Sequence, residues 1–348
     1  MNNEPILTFA IPTWNRCNEL RECLDHLVKE IENTKEFIEI FVSDNASTDS
    51  TSQVLEEYSK KYYFIRYSRN KRNLGFDLNL INAIEKSKGK YVWTFSDDDI
   101  IAEGSLNSVI EIINKYNPTY IAVDYDQFYS GKEQNGQIII IKPNKITKYN
   151  HKVLSSLWLN LNFKDLLDKE FTRVTFLSIN IFRHSSLNLN SVKNNIDKSK
   201  HFSHIYLIAQ ATEKGGAIIL PNICVHQRED NSNINPIIFY KNLPDLMEFI
   251  FSEYHLEKSY VQKFFKNYRK NYLSFLDILI LSALLKIYRK KIDIEQINKN
   301  LSKVYIFFYF KFIFPIIPRK FVILIAKIYR AYRGKGFTIG SEKELRFE

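Results

Sequence analysis

Four short apolar runs, ILTFAI (6–11), FIEIFVS (37–43), YFIRYS (63–68) and YVWTFS (91–96), are separated by segments of helical period. Strands that are apolar throughout are covered on both faces, and strands that alternate with helices assemble into a largely parallel sheet. Leu20, Cys23, Leu24, Leu27, Val28 and Ile31 recur at helical spacing and mark the inward face of the first helix. Val54, Leu55 and Tyr58 mark the second, after a Thr48-Asp49 start signal, and Leu74 to Ala83 form the third. The fold class that follows is α/β, a Rossmann-like and mostly parallel sheet flanked by helices.

Another helix is expected from about Ser105. TYIAVDYDQFY and QIIIIK flank Asn135-Gly136, a pair that supplies the positive φ angles of a tight hairpin. RVTFLSINIFR (173–183) reads as a buried strand, His201 to Lys214 as a helix, and AIILP with ICVHQ as two short strands. A first domain is therefore expected over 1–235, divided into a nucleotide-binding half (1–101) and a second half (102–235). The remainder, 236–348, reads as a C-terminal helical region.

At 348 residues the chain has room for both parts and can bury a real core. Cys17, Cys23 and Cys224 are odd in number and lack zinc-ligand spacing, so a reducing cytoplasm is the expected compartment. The N-terminus, MNNEPILTFAIP, has no basic head followed by a long apolar run, and no signal peptide is expected.

In an open parallel sheet, ligands sit at the carboxyl ends of the strands. Here the first strand ends in Pro12-Thr13-Trp14-Asn15-Arg16, the second in Ser43-Asp44-Asn45 and the fourth in Ser96-Asp97-Asp98-Asp99. Three adjacent carboxylates repel one another, and a divalent cation is the economical reason to keep them. Mg²⁺ and Mn²⁺ prefer oxygen ligands, and one or two carboxylates plus diphosphate oxygens complete such a site. A solvated turn is the plain alternative, weakened by the pairing with Asp44 at the end of the second strand.

AIPTWNR, FVSDNASTDST, RNLGFDLN and GKYVWTFSDDD, in this order, make residues 6–101 resemble the donor-binding half of family 2 glycosyltransferases of the GT-A fold, in particular the abequosyltransferase-like branch. FLSINIFR and HIYLIAQATEKGGAIILPNICVHQREDNS are similar to that branch's acceptor half, and the resemblance extends over 5–233. It implies sugar transfer from a nucleotide-diphosphate donor, inversion at the anomeric carbon and a polyprenyl-linked glycan acceptor in surface polysaccharide synthesis. By position, Pro12, Thr13 and Asn15 match the segment lining base and ribose, with Arg16 following. Asp44, with Asn45 beside it, matches the acid that hydrogen-bonds the base. Asn73, Gly75 and Asn79 match the segment beside the nucleotide, although Gly75 also reads as a helix-entry turn. Asp97, flanked by Ser96 and Asp98, matches the acid that contacts ribose or metal, and Asp99 matches the metal ligand. A leaving nucleoside diphosphate gathers charge, which a metal and Arg16 can share.

The second half departs from the wider family, which places a Glu-Asp pair at a helix start as the acceptor base. Here the corresponding position holds His204, whose imidazole has a suitable pKa for that work; a histidine hydrogen-bonded within a helix start is the alternative. Asp197 is a second candidate base, ranked below it. His226 falls where related enzymes place a histidine that completes the metal shell, against a plain strand-end histidine. Arg228 is a candidate diphosphate clamp, against an ordinary arginine beside Glu229.

The formal charge of +10 is uneven: residues 303–335 carry eight Lys or Arg and no acid. Lys311, Pro315 and Pro318 interrupt the apolar run and make a bilayer-spanning helix a poor fit. A basic stripe beside an apolar face suits the surface of an anionic membrane, so peripheral attachment to the inner face of the cell membrane is expected. Closure of a helical subdomain or a homodimer contact is the alternative. Nucleic-acid binding fits poorly, because no recognised module accompanies the basic residues. A nucleotidyltransferase would need a glycine-rich basic loop that PTWNR lacks. A catalytically silent sugar-nucleotide-binding or scaffold protein remains the rival from another class.

Overall fold

The computed structural model describes residues 4–130, 140–141, 158–228 and 242–272. The chain divides into two compact units, Met1–Asn231 and Ser232–Glu348. The first runs β1 (Leu7–Thr13), α1 (Cys17–Glu32), β2 (Ile38–Asp44), α2 (Thr51–Lys61), β3 (Ile65–Arg69), α3 (Phe76–Lys86), β4 (Tyr91–Thr94), β5 (Ile100–Ile101), α4 (Ser105–Tyr116), β6 (Tyr120–Ser130), β7 (Ile140–Ile141), β8 (Trp158–Leu161), α5 (Phe163–Val174), β9 (Asn180–Arg183), α6 (Leu189–Asn194), α7 (Ile196–Ser199), α8 (Ser203–Glu213) and β10 (Ala217–Arg228). In the second unit, α9 (Leu243–Glu253) and α10 (Lys258–Tyr272) are described. Their ring contact, Phe251 edge-on to Phe264 at 5.0 Å, is the packing that aromatic quadrupoles favour.

The described strands join one sheet in the order β3-β2-β1-β4-β9-β6-β10-β5, with β7 on β6 and β8 on β10. β1 to β4 pair in parallel among themselves, as do β6 and β10. β9 runs antiparallel between β4 and β6, so these six strands share one direction and their carboxyl ends open on one edge. Every residue of β1 and β2 is buried, as runs apolar on both faces require. Phe9 stacks on Trp93 at 5.0 Å and meets Phe95 edge-on at 5.6 Å, centring the core under the first and fourth strands.

The apolar positions read from the first helix, Leu20, Cys23, Leu24, Leu27, Val28 and Ile31, are buried in α1. Glu30, on the same helix, accepts the Gly104 and Leu106 amides at 3.2 and 3.1 Å, placing a carboxylate at the positive end of α4.

Two segments fold differently from expectation. Of residues 173–183 only the last four are strand, because side chains of β4 take the preceding carbonyls: Trp93 Nε1 donates to Ser178 O at 2.7 Å and Thr94 Oγ1 to Leu177 O at 3.0 Å. The two short strands around Pro221 are one strand, β10, whose register against β6 shifts between Ile219 and Val225. Pro221 has no N–H to give the ladder, and the strand absorbs this as a bulge rather than a break.

The Asn135-Gly136 turn lies outside the described residues, although Ile140 and Ile141 pair antiparallel with Ser130 and Tyr129. Residues 303–335 lie outside them as well. Among the described residues no helix is long and apolar enough to cross a membrane. Cys17, Cys23 and Cys224 are free.

Candidate active site

The turn between β4 and β5 carries the acidic cluster. Asp97 and Asp99 are 4% and 2% exposed, so two carboxylates lie out of water next to a third. Arg16, the residue before α1, donates from Nη1 to Asp97 Oδ1 at 3.0 Å and to Asp98 Oδ2 at 2.6 Å. Ser96 Oγ donates to Asp98 Oδ1 at 2.5 Å. Asp99 is held from two sides: the Ser178 hydroxyl donates to Oδ2 at 2.5 Å and the Arg228 amide to Oδ1 at 3.1 Å.

Burial pushes the Asp97 carboxyl up to about 7; Arg16 opposes the rise and Asp98 adds to it. Burial, then Asp98, raises Asp99 well above the carboxylate range despite the two donors on it. Arg16 shows the complementary response. Burial works against its charge, but Asp97 and Asp98 outweigh that and hold its pKa above the ordinary value. The cluster is thus short of positive charge, which is the condition a cation relieves.

A polar network shapes the loops on the β1–β3 side. Pro12 and Thr13 are the last residues of β1, opposite Ser43 and Asp44. Asn15 adopts φ +53°, a left-handed conformation that asparagine tolerates, and its Oδ1 accepts the Thr48 amide at 2.7 Å. Asp44 is fully buried; it accepts the Ser47 amide at 2.9 Å and the Ser52 hydroxyl at 3.3 Å, with Arg69 Nε at 3.6 Å. Asn45 Nδ2 donates to Asn73 Oδ1 at 2.7 Å, while its Oδ1 accepts the Leu74 amide at 2.9 Å. Asn79 pins two strand ends, donating to the Ser43 carbonyl at 2.9 Å and the Thr13 carbonyl at 3.4 Å while accepting the Ser43 hydroxyl at 2.8 Å. Gly75, with φ +82° and ψ 167°, opens α3 in a conformation reserved for glycine. Asn70 joins these residues, its Nδ2 donating to Asn45 Oδ1 at 3.1 Å and Asn79 Oδ1 at 2.9 Å and its amide to the Asp44 carbonyl at 2.8 Å. Asp44, Asn45, Asn73 and Asn79 therefore form one connected frame at the sheet edge.

Residues 8–179 match the model of the family described as "Glycosyl transferase family 2". This stretch is a family 2 glycosyltransferase domain. The chain is 41% identical over 105 residues to abequosyltransferase RfbV of Salmonella typhimurium, a match covering 29% of this chain and 30% of that protein. It is 31% identical over 114 residues to the GalNAc(5)-diNAcBac-PP-undecaprenol beta-1,3-glucosyltransferase of Campylobacter jejuni, covering 32% of this chain and 35% of the relative. The chain thus spans about a third of the length of these curated relatives. Among solved structures, S. aureus TarS 1-349 in complex with UDP superposes with a TM-score of 0.53 at 16% identity, covering 96% of this chain and 94% of that one. That likeness is one of fold, and the fold is GT-A.

Within the glycosyltransferase fold, the residues read for the second half fall in distinct places. His204, 2% exposed at the start of α8, has its Nε2 at 3.0 Å from the Thr175 carbonyl, and burial lowers its pKa to about 4. With Nε2–H donating to that carbonyl, the basic lone pair is on Nδ1, a buried atom with no hydrogen-bond partner. Asp197 is 89% exposed on α7, 3.8 Å from Lys200 Nζ. His226 Nδ1 pairs with Asp126 Oδ1 across the β10–β6 register, leaving Nε2 as its other ring nitrogen. Among the described residues no three His, Cys, Asp or Glu side chains converge as a ready metal cage. His226 is therefore not gathered with Asp97 and Asp99 into one.

Arg228, read as a candidate diphosphate clamp, has an enclosed side chain. Its side chain is 4% exposed and bound to Glu22 Oε2 and, through Nε, to the Asp98 carbonyl at 3.0 Å. Four residues here are given no role by the sequence reading. Glu22 is one charge on an amphipathic helix, Ser178 lies inside a segment that reads as strand, and Asp126 is one of two aspartates in the strand run TYIAVDYDQFY. Asp77 accepts the His201 and Ser203 amides at 2.6 and 3.2 Å, tying the donor-side helix α3 to α8. Its only sequence hint is its place in RNLGFDLN.

The donor set fits a divalent cation held by two carboxylates. Asp97 and Asp99 offer carboxylate oxygens in a buried, acid-rich turn, the donor type that Mg²⁺ and Mn²⁺ prefer.

Proposed function

We propose that the chain is a metal-dependent glycosyltransferase moving a sugar from a nucleotide-diphosphate donor to a glycan acceptor carried on a polyprenyl lipid, with inversion. The observation that carries this reading is the buried Asp97–Asp99 turn with Arg16 at its mouth, inside a family 2 glycosyltransferase domain. The polyprenyl acceptor is supported by the Campylobacter relative, whose name gives an undecaprenol-linked glycan as acceptor, and by the basic, apolar stretch 303–335. That stretch, at the inner face of the cell membrane, would bring the enzyme to its substrate.

In this reading the frame of Asp44, Asn45, Asn73 and Asn79 shapes the nucleotide site at the ends of β1 and β2, and Thr13 and Asn15 line it. Asp97 and Asp99 hold Mg²⁺ or Mn²⁺, which when bound neutralises the charge that gathers on the leaving diphosphate. Arg16 is 36% exposed on its side chain and already spans Asp97 and Asp98, so it can shift part of its charge to a diphosphate. Of the two sequence-read bases, Asp197 alone has open access to water and so to an acceptor hydroxyl. His226, oriented by Asp126, keeps Nε2 for an acceptor group.

The test is transfer from a panel of radiolabelled sugar nucleotides to undecaprenyl-linked acceptors with Mn²⁺. Transfer from one donor, abolished by a chelator and restored by Mn²⁺, supports the reading. Tight, metal-dependent binding of a donor with neither transfer nor hydrolysis would instead favour a silent sugar-nucleotide-binding protein.

A further inference from the structure

Glu22 and Arg228 form an ion pair with side chains only 15% and 4% exposed, from elements 206 residues apart in sequence. Arg228 closes β10, and every polar group it uses points at the acidic turn or at Glu22. Its amide donates to Asp99 Oδ1 at 3.1 Å, and its Nε to the Asp98 carbonyl at 3.0 Å. The guanidinium lies over Phe128, with Cζ 4.7 Å from the ring centroid. A planar fork bound in this way has a fixed orientation.

The turn needs such a restraint. Three consecutive carboxylates, two of them buried, repel one another and would relax by swinging apart toward water. Arg228 prevents this by gripping the backbone of Asp98 and the carboxylate of Asp99 together. Glu22 in turn sets where the guanidinium sits. α1 reaches the same turn at two further points, since Arg16 bridges Asp97 and Asp98, and Cys23 Sγ lies 3.6 Å from the Ser96 carbonyl.

We propose that Glu22 and Arg228 are a positioning pair that holds Asp98 and Asp99 in the geometry a cation requires, and that Arg228 is not a diphosphate ligand. The inference rests on the reading that Asp97 and Asp99 hold a divalent metal. Nε and Nη2 of Arg228 are committed to the Asp98 carbonyl and to Glu22, and releasing Glu22 to serve a diphosphate would strand a buried carboxylate.

The full-length chain is compared as wild type, Glu22→Gln and Arg228→Lys. Amide hydrogen exchange over residues 96–100 is measured without metal, and Mn²⁺ and UDP are titrated separately and together. The expected result is faster exchange in both variants and Mn²⁺ affinity weakened about tenfold, the scale of a lost outer-shell partner. UDP binding without metal should be unchanged. Unchanged exchange and Mn²⁺ affinity in Glu22→Gln overturn the proposal. So does an Arg228→Lys variant that loses affinity for UDP alone. Should the wild type bind no Mn²⁺, the metal reading fails, and the metal-free exchange still decides whether the pair clamps the turn. Should Arg228→Lys fail to fold, Glu22→Gln, which removes only a charge, decides the matter alone.

Discussion

The Ser178 hydroxyl donates to Asp99 Oδ2 at 2.5 Å, and its oxygen accepts the Ser96 amide at 2.9 Å. One side chain from the turn before β9 thereby fixes both the backbone that enters the acidic turn and the carboxylate that leaves it. Ser178→Ala is expected to weaken Mn²⁺ binding about 10- to 100-fold. It leaves a backbone amide unpaired, so a stability loss of about 1–3 kcal/mol should accompany the change. Calorimetric titration with Mn²⁺ and urea unfolding separate the two effects.

Metal binding should depend on pH through Asp97. Its folded pKa is raised to about 7, so between its unfolded value and about 7 the folded chain holds a proton that the unfolded chain releases. From this group alone, metal-free protein loses stability as pH rises across that window. A divalent cation needs the carboxylate and displaces the proton, so through this group its affinity should climb with pH up to about 7. Thermal shift by Mn²⁺ should accordingly be larger at pH 8 than at pH 5.5, and an equal shift at both would remove Asp97 from the site.

His204 should behave as a core residue. Its pKa is lowered to about 4 by burial, so the stability it contributes is complete above the unfolded histidine value and is lost as pH falls toward about 4. The span between the two values corresponds to about 3 kcal/mol. His204→Gln should flatten the acid limb of the stability curve relative to wild type while changing kcat less than about threefold, a difference under ~1 kcal/mol. Asp197→Asn is the converse test: kcat should fall about 100-fold or more if it is the acceptor base, with no loss of stability from an 89% exposed side chain.

Gly75→Ala tests the donor frame. A Cβ there meets nothing within 4 Å, so the cost lies in the backbone, at φ +82°. Straining that conformation costs about 1–3 kcal/mol. Because Asn45 donates to the Gly75 carbonyl at 3.3 Å and Asn73 accepts the Gly75 amide at 2.8 Å, the strain should appear as a raised KM for the donor. A steady-state series in donor concentration reads it directly.

The strands that open the chain were legible because β1 and β2 are buried on both faces, which forces unbroken apolar runs, and α1 because its buried stripe repeats at helical spacing. The acidic turn was legible because like charges in sequence are costly wherever they fold. What escaped was set by contacts between distant residues. Ser178 reads as part of a strand, yet it turns because Trp93 and Thr94 claim the neighbouring carbonyls. Arg228 reads as a diphosphate clamp or an ordinary surface arginine, and its buried pairing with Glu22, on the first helix, is set by a contact the sequence does not show. His204 looks chemically apt, and only its 2% exposure and its bond to the Thr175 carbonyl show how enclosed it is.

The most direct test is calorimetric binding of a panel of nucleoside diphosphates and sugar nucleotides, with and without Mn²⁺, to wild type and the Asp97→Ala/Asp99→Ala double variant. The expected result is one preferred nucleotide, bound more tightly with Mn²⁺ by the wild type and without that gain by the double variant. Folded wild type that binds no member of the panel, or a double variant that keeps the full Mn²⁺ enhancement, would contradict the assignment of the Asp97–Asp99 turn as the donor and metal site.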